Sequence, residues 1–91
     1  MKALFHELES TAKRWKEEGY KVFHNLVTSP CYDVTILEAQ VVECTISDIK
    51  EEYPRMKVLE YKVETRNLRD CVKTYIVVKC EEWKDYEKGN D

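Results

Sequence analysis

The sequence predicts an α/β domain, a mixed sheet with helices packed on its faces, from three features. The first segment has helical apolar spacing, the middle carries short runs of β-branched residues, and Val72 to Cys80 is a continuous apolar run of strand length. At 91 residues, of which 43% are hydrophobic, the chain holds one core, so residues 1–91 are expected to form a single domain.

Leu4, Leu8, Ala12 and Trp15 recur at intervals of four, four and three, while Lys2, Glu9, Lys13, Lys16 and Glu17 take the other faces; this is an amphipathic helix, with Gly19 as its left-handed cap. Tyr20, Val22, His24 and Leu26 alternate with Lys21, Phe23 and Asn25 as a strand, broken by Thr28-Ser29-Pro30. Asp33–Leu37 and Gln40–Ile46 are rich in β-branched residues and read as a hairpin joined near Glu38-Ala39.

Ser47 or Asp48, with Glu51 placed for a capping box, opens a loop or short turn, and Pro54 to about Arg69 has helix-forming composition. That helix would bury Met56, Leu59, Val63 and the stem of Arg66. The run Val72 to Cys80 belongs inside a sheet, and Trp83 and Tyr86, three apart, suit a last helical turn. The predicted order is α-β-β-β-α-β, with the strand after the second helix parallel to the one before it.

The net charge of −3 excludes a protein held on DNA by bulk electrostatics, but charge is unevenly spread. Pro54 to Lys73 holds six basic residues against three acidic ones, whereas residues 81–91 form an acidic tail with five acids and two lysines. No apolar stretch approaches the roughly 20 residues of a membrane span. The start turns acidic at Glu7 before a signal-like apolar stretch develops, so a cytoplasmic location is expected. Cys31, Cys44, Cys71 and Cys80 have neither zinc-ligand nor redox C-x-x-C spacing; Cys44 and Cys80, inside apolar runs, read as small buried hydrophobes. His6 and His24 have no nucleophile at a recognisable spacing, and there is no phosphate-binding glycine loop.

Two carboxylates stand out. Asp33 and Glu43 sit among Val and Ile, where an unpaired buried charge costs several kcal/mol, on the order given by lost hydration. A three-residue loop at Leu37–Ala39 puts both on one face of the hairpin, and a two-residue loop puts them on opposite faces. On one face, with the backbone carbonyl of Cys44, they make a hard oxygen site suited to Mg²⁺ or Mn²⁺. Otherwise Asp33 opens a segment after the Pro30 turn and Glu43 faces solvent or pairs with a lysine.

Ser29-Pro30-x-x-Asp33, nine intervening residues, then Glu43-Cys44-Thr45 resembles the signature of the PD-(D/E)XK nuclease superfamily, the restriction-endonuclease-like fold, whose core order is also α-β-β-β-α-β. The opening helix and Gly19-Tyr20-Lys21-Val22 look like the start of archaeal members and of archaeal Holliday-junction resolvases. The resemblance implies an endonuclease hydrolysing DNA phosphodiesters with Mg²⁺ or Mn²⁺: Asp33, Glu43 and the Cys44 carbonyl as ligands, and Glu7, with Glu9 as second choice, holding a metal-bound water. Thr45 stands where the family carries a Lys, and its hydroxyl supplies no positive charge to a developing oxyanion. Either Lys50, Lys57 or Lys62 supplies that charge, or the chain is an inactive nuclease-fold subunit that binds DNA or protein. Lys50, Lys57, Lys62 and Arg66 are the expected phosphate contacts, and so short a chain suggests a homodimer or a partner subunit gripping duplex or branched DNA. A double-stranded-RNA-binding module shares part of the order, but Asp48-Ile49-Lys50-Glu51-Glu52 would repel phosphate where that module needs lysines.

Overall fold

A computed structural model of the chain describes residues 4–30 and 33–82. Its elements are α1 (His6–Glu17), β1 (Lys21–Ser29), α2 (Val34–Glu52), β2 (Met56–Asn67) and β3 (Val72–Glu82). The protein is thus α/β, but its order is α-β-α-β-β, not the α-β-β-β-α-β of a restriction-endonuclease-like core.

The opening is as its spacing predicts from Leu8 onward; Leu4, expected on the apolar stripe, is exposed ahead of the helix, and Phe5 is buried instead. α1 buries Leu8, Ala12 and Trp15, and Gly19 follows it at φ +100°, in the left-handed region. The amide of Tyr20 donates to the Trp15 carbonyl and that of Gly19 to the Lys16 carbonyl, which closes the helix end.

The expected hairpin over Asp33–Leu37 and Gln40–Ile46 is instead the first two-thirds of α2. Leu37, Val41, Thr45 and Ile49 are buried at intervals of four, a single helical stripe, and the chain has no Gly or Pro between Pro30 and Pro54. Asp33 is the N-cap: its Oδ1 accepts from the Ile36 amide at 3.2 Å. Ser47 and Asp48, expected to open a loop or short turn, lie well inside this helix.

The expected helix from Pro54 to Arg69 is strand β2. Met56, Val58, Tyr61, Val63 and Thr65 share its α2-facing side, and a one-residue bulge at Leu59 shifts the alternation between Val58 and Tyr61. That shift is why Met56, Leu59 and Val63 fall at helix-like spacing.

The sheet has the order β1-β3-β2, with β3 antiparallel to both neighbours. It is therefore antiparallel throughout rather than mixed. α2 does link two strands of the same direction, β1 and β2, but β3 inserts between them, so the parallel strands are not hydrogen-bonded neighbours.

Central position explains the apolar run Val72 to Cys80. One side of β3 presents Val72, Ile76, Val78 and Cys80 to Leu37, Val41 and Ile49 of α2. The other side presents Val77 and Tyr75 to Leu8, Ala12 and Trp15 of α1 and to Phe5 at its N-cap. The helices thus cover opposite faces, and β3 is buried between them, as its sequence predicts. Residues 83–91, with the expected turn at Trp83 and Tyr86 and most of the acidic tail, lie outside the described residues; Glu81 and Glu82 end β3.

Candidate functional site

The expected metal site does not assemble. Asp33 caps α2 and Glu43 lies ten residues further along it, about 15 Å at the 1.5 Å helical rise. Two carboxylates on one Mg²⁺ need oxygens about 2.1 Å from the ion, so these two cannot share it. Glu43 and Cys44 are exposed, and the Cys44 carbonyl lies inside the helical hydrogen-bond ladder. Thr45 is only 6% exposed and faces the sheet, where its Oγ1 accepts from Asn25 Nδ2 at 3.3 Å. Glu7 and Glu9 lie on α1, across the sheet from α2. Among the described residues no three His, Cys, Asp or Glu side chains gather as a metal-holding set. The residues present do not fit the ion that the resemblance implies.

The role the geometry gives Asp33 is testable. Asp33→Ala should destabilise the protein by about 1 kcal/mol in urea unfolding, Asp33→Asn by much less, and Glu43→Ala by under about 0.5 kcal/mol. All three shifts should be independent of Mg²⁺. Losses at Asp33 and Glu43 that match and need the metal would contradict the capping role.

The expected phosphate contacts divide. Lys57, Lys62 and Arg66 share one side of β2, because the positions facing α1's side of the sheet are 57, 60, 62, 64 and 66. Arg66 stands directly across from Lys73 of β3. Lys50 is in the last turn of α2, on the opposite face, and does not join them. α1 packs over β3 and β1, which leaves Lys57, Lys62 and Arg66 exposed beside it. Lys57 to Arg66 spans about 30 Å at strand rise.

This row also contains acids, some of them paired with its cations. Glu60 binds Lys79 at 3.4 Å, and Glu64 Oε2 binds Arg66 at 3.1 Å. Glu64 Oε1 is buried without a hydrogen-bond partner. The Arg66 guanidinium sits 5.8 Å from the centre of the Phe5 ring, so α1 helps hold it. Lys73 Nζ donates to Thr28 Oγ1 at 2.9 Å. Below them Tyr75, 5.3 Å from Phe5, has its hydroxyl pKa raised by burial and then by the Glu9 carboxylate.

The chain matches no family model, no curated protein and no solved structure. Local chemistry must therefore carry the functional reading.

On the other face, α2 from Asp33 to Glu52 holds six acids and one lysine. Glu38 accepts from Thr65 Oγ1, and the buried Thr74 hydroxyl is within 3.1 Å of Thr65, which ties α2 to the β2–β3 pair. Sequence reasoning missed Lys73 as a partner of Arg66, although it was already inside the basic stretch. It also missed a cleft between β1 and α2, lined by Phe23, Asn25, Asp48, Glu52 and Tyr53. The signal available for that cleft was the acid run ending at Tyr53-Pro54. No helix among the described residues is long and apolar enough to cross a membrane.

Proposed function

We propose that this chain is a non-catalytic binding domain that holds nucleic acid by its phosphates along the β2 side of the sheet. One observation carries the reading: Lys57, Lys62 and Arg66 occupy one side of an edge strand with Lys73 across from Arg66, while the acids of α2 lie on the opposite face. Alternate side chains of a strand point to opposite faces, which puts all five charged residues of β2 on one side; there Lys57, Lys62 and Arg66, with Lys73 beside them, outnumber Glu60 and Glu64. A net charge of −3 then becomes compatible with phosphate binding, since the contact is local.

Such contacts are electrostatic and carry no base information. About three of them give a salt slope near −2.7 on duplex DNA, or roughly 40-fold weaker binding at 200 mM than at 50 mM salt. Fluorescence anisotropy with labelled duplex and branched DNA measures this directly. The expected pattern follows charge: Lys62→Gln with Arg66→Gln weakens binding at least about tenfold and flattens the slope, whereas Glu64→Gln strengthens it by releasing Arg66. EDTA should change neither binding nor the integrity of the DNA. Binding indifferent to all three substitutions, or divalent-dependent cleavage by the pure protein, would sink the reading.

A further inference from the structure

The two outer edges of the sheet are built differently. β2 carries five charged residues among twelve and a bulge, the usual guards against pairing with another chain. β1 has no Asp, Glu, Lys or Arg after Lys21 and pairs with β3 over nine positions without a register shift. Alternate residues of such a strand turn N–H and C=O groups outward, and among the described residues no strand pairs with that edge.

Beside this edge, on the α2 side, lies the open cleft of about 220 Å³. The Phe23 and Tyr53 rings meet in it at 5.1 Å, and the exposed carboxylates of Asp48 and Glu52 line it. Its volume is below the roughly 300–1,000 Å³ of organic-ligand sites, so it suits a single long side chain. On the opposite side of β1, Leu26 is 51% exposed and offers an apolar contact to an adjoining strand.

We propose that the outer edge of β1 takes an extended basic peptide of a partner protein as a fourth strand, with one Arg or Lys side chain seated in this cleft. Main-chain hydrogen bonds to the edge supply affinity, and the cleft selects the side chain on alternate positions. A guanidinium stacks on aromatic rings and bonds to carboxylates, and both are present. The acids of α2 favour this occupant and repel nucleic acid, so this site is separate from the β2 row and stands whether or not that row binds DNA. A second copy fits less well. The antiparallel register pairing all nine residues of β1 with another β1 centres on Asn25 and sets Phe23 against Val27 and Lys21 against Ser29, which brings no cation to the cleft.

The test uses the full chain and a labelled nine-residue peptide alternating Val or Thr with Arg. Its controls are a peptide with Glu in place of Arg and an Arg peptide N-methylated on alternate amides. The Arg peptide should bind, the Glu peptide should not, and N-methylation should weaken binding at least about tenfold by removing strand hydrogen bonds. Asp48→Asn with Glu52→Gln should weaken it about tenfold with an unchanged thermal transition, because both residues are exposed. Equal binding by the N-methylated peptide, or by the Asp48→Asn/Glu52→Gln variant, overturns the proposal. So does sedimentation as a dimer under conditions where the Arg peptide fails to bind, which would give the edge to a second copy.

Discussion

Replacing Trp15 with alanine should cost about 3–5 kcal/mol, roughly a third to a half of the net stability of a typical domain this size. Trp15 is 3% exposed and is the largest side chain in the cluster that α1 forms with Val22, Tyr75 and Val77. The Nζ of Lys79 lies 5.2 Å from its ring centre and 4.6 Å from that of Tyr20, so the ring also shelters a cation bound to Glu60. Removing the indole takes away apolar area, leaves a cavity, and uncovers one face of β3. Urea unfolding should show a lower midpoint with little change in slope, and Trp15→Phe should recover part of the loss. Because α1's cluster is smaller than α2's, amide exchange in Trp15→Ala should accelerate across α1 before α2. The Phe5 contact to Arg66 loosens at the same time, so the nucleic-acid binding proposed for this face should weaken as well. A loss below about 1 kcal/mol would mean that α1 is not anchored as described.

The elements legible in the sequence are those whose local pattern and tertiary position agree. In α1 and β3, spacing, capping and burial all point one way: Gly19 does adopt a positive φ, and Tyr75-Ile76-Val77-Val78 is central in the sheet. Misreading came where intrinsic preference and burial period conflict. Val34, Thr35, Ile36, Val41 and Val42 favour strands individually, yet Leu37, Val41, Thr45 and Ile49 repeat at four, and packing on β2 and β3 decides for the helix. In β2, Glu and Lys on the solvent side favour a helix, and the Leu59 bulge hides the alternation that would have opposed it. The candidate site followed these two errors. Asp33 and Glu43 converge only if their segment is a hairpin, whereas Lys57, Lys62 and Arg66, expected as phosphate contacts from a basic helix that would have buried the Arg66 stem, share one side because that segment is a strand. Lys50 shows the limit of that luck, since it fell on the acidic helix.

Cys80 bears on the same core from the α2 side, and its titration is the second large effect. It is 0% exposed, packed in the cluster of Leu37, Val41, Ile76 and Val78, and burial pushes its thiol pKa from about 9 up to about 11. The neutral thiol is the form the folded state favours. Its stabilising contribution is therefore complete below pH 9, and it is lost as pH rises from 9 to 11, because the unfolded chain ionises there first. The loss is at most about 2–3 kcal/mol, and ends once the folded thiol also ionises. Tyr75, whose pKa is also raised, acts in the same direction, so wild type must be compared with Cys80→Ala. That variant should start about 1–2 kcal/mol less stable, from the small cavity, yet fall less steeply above pH 9. Alkylation gives an independent readout of the same burial. Cys44 is exposed and should react in the native state, whereas Cys80 should react only as α2 lifts from the sheet or the chain unfolds. Native Cys80 labelling as fast as Cys44, or parallel alkaline limbs in the two proteins, would place the thiol outside the core and remove the packing that makes α2 a helix.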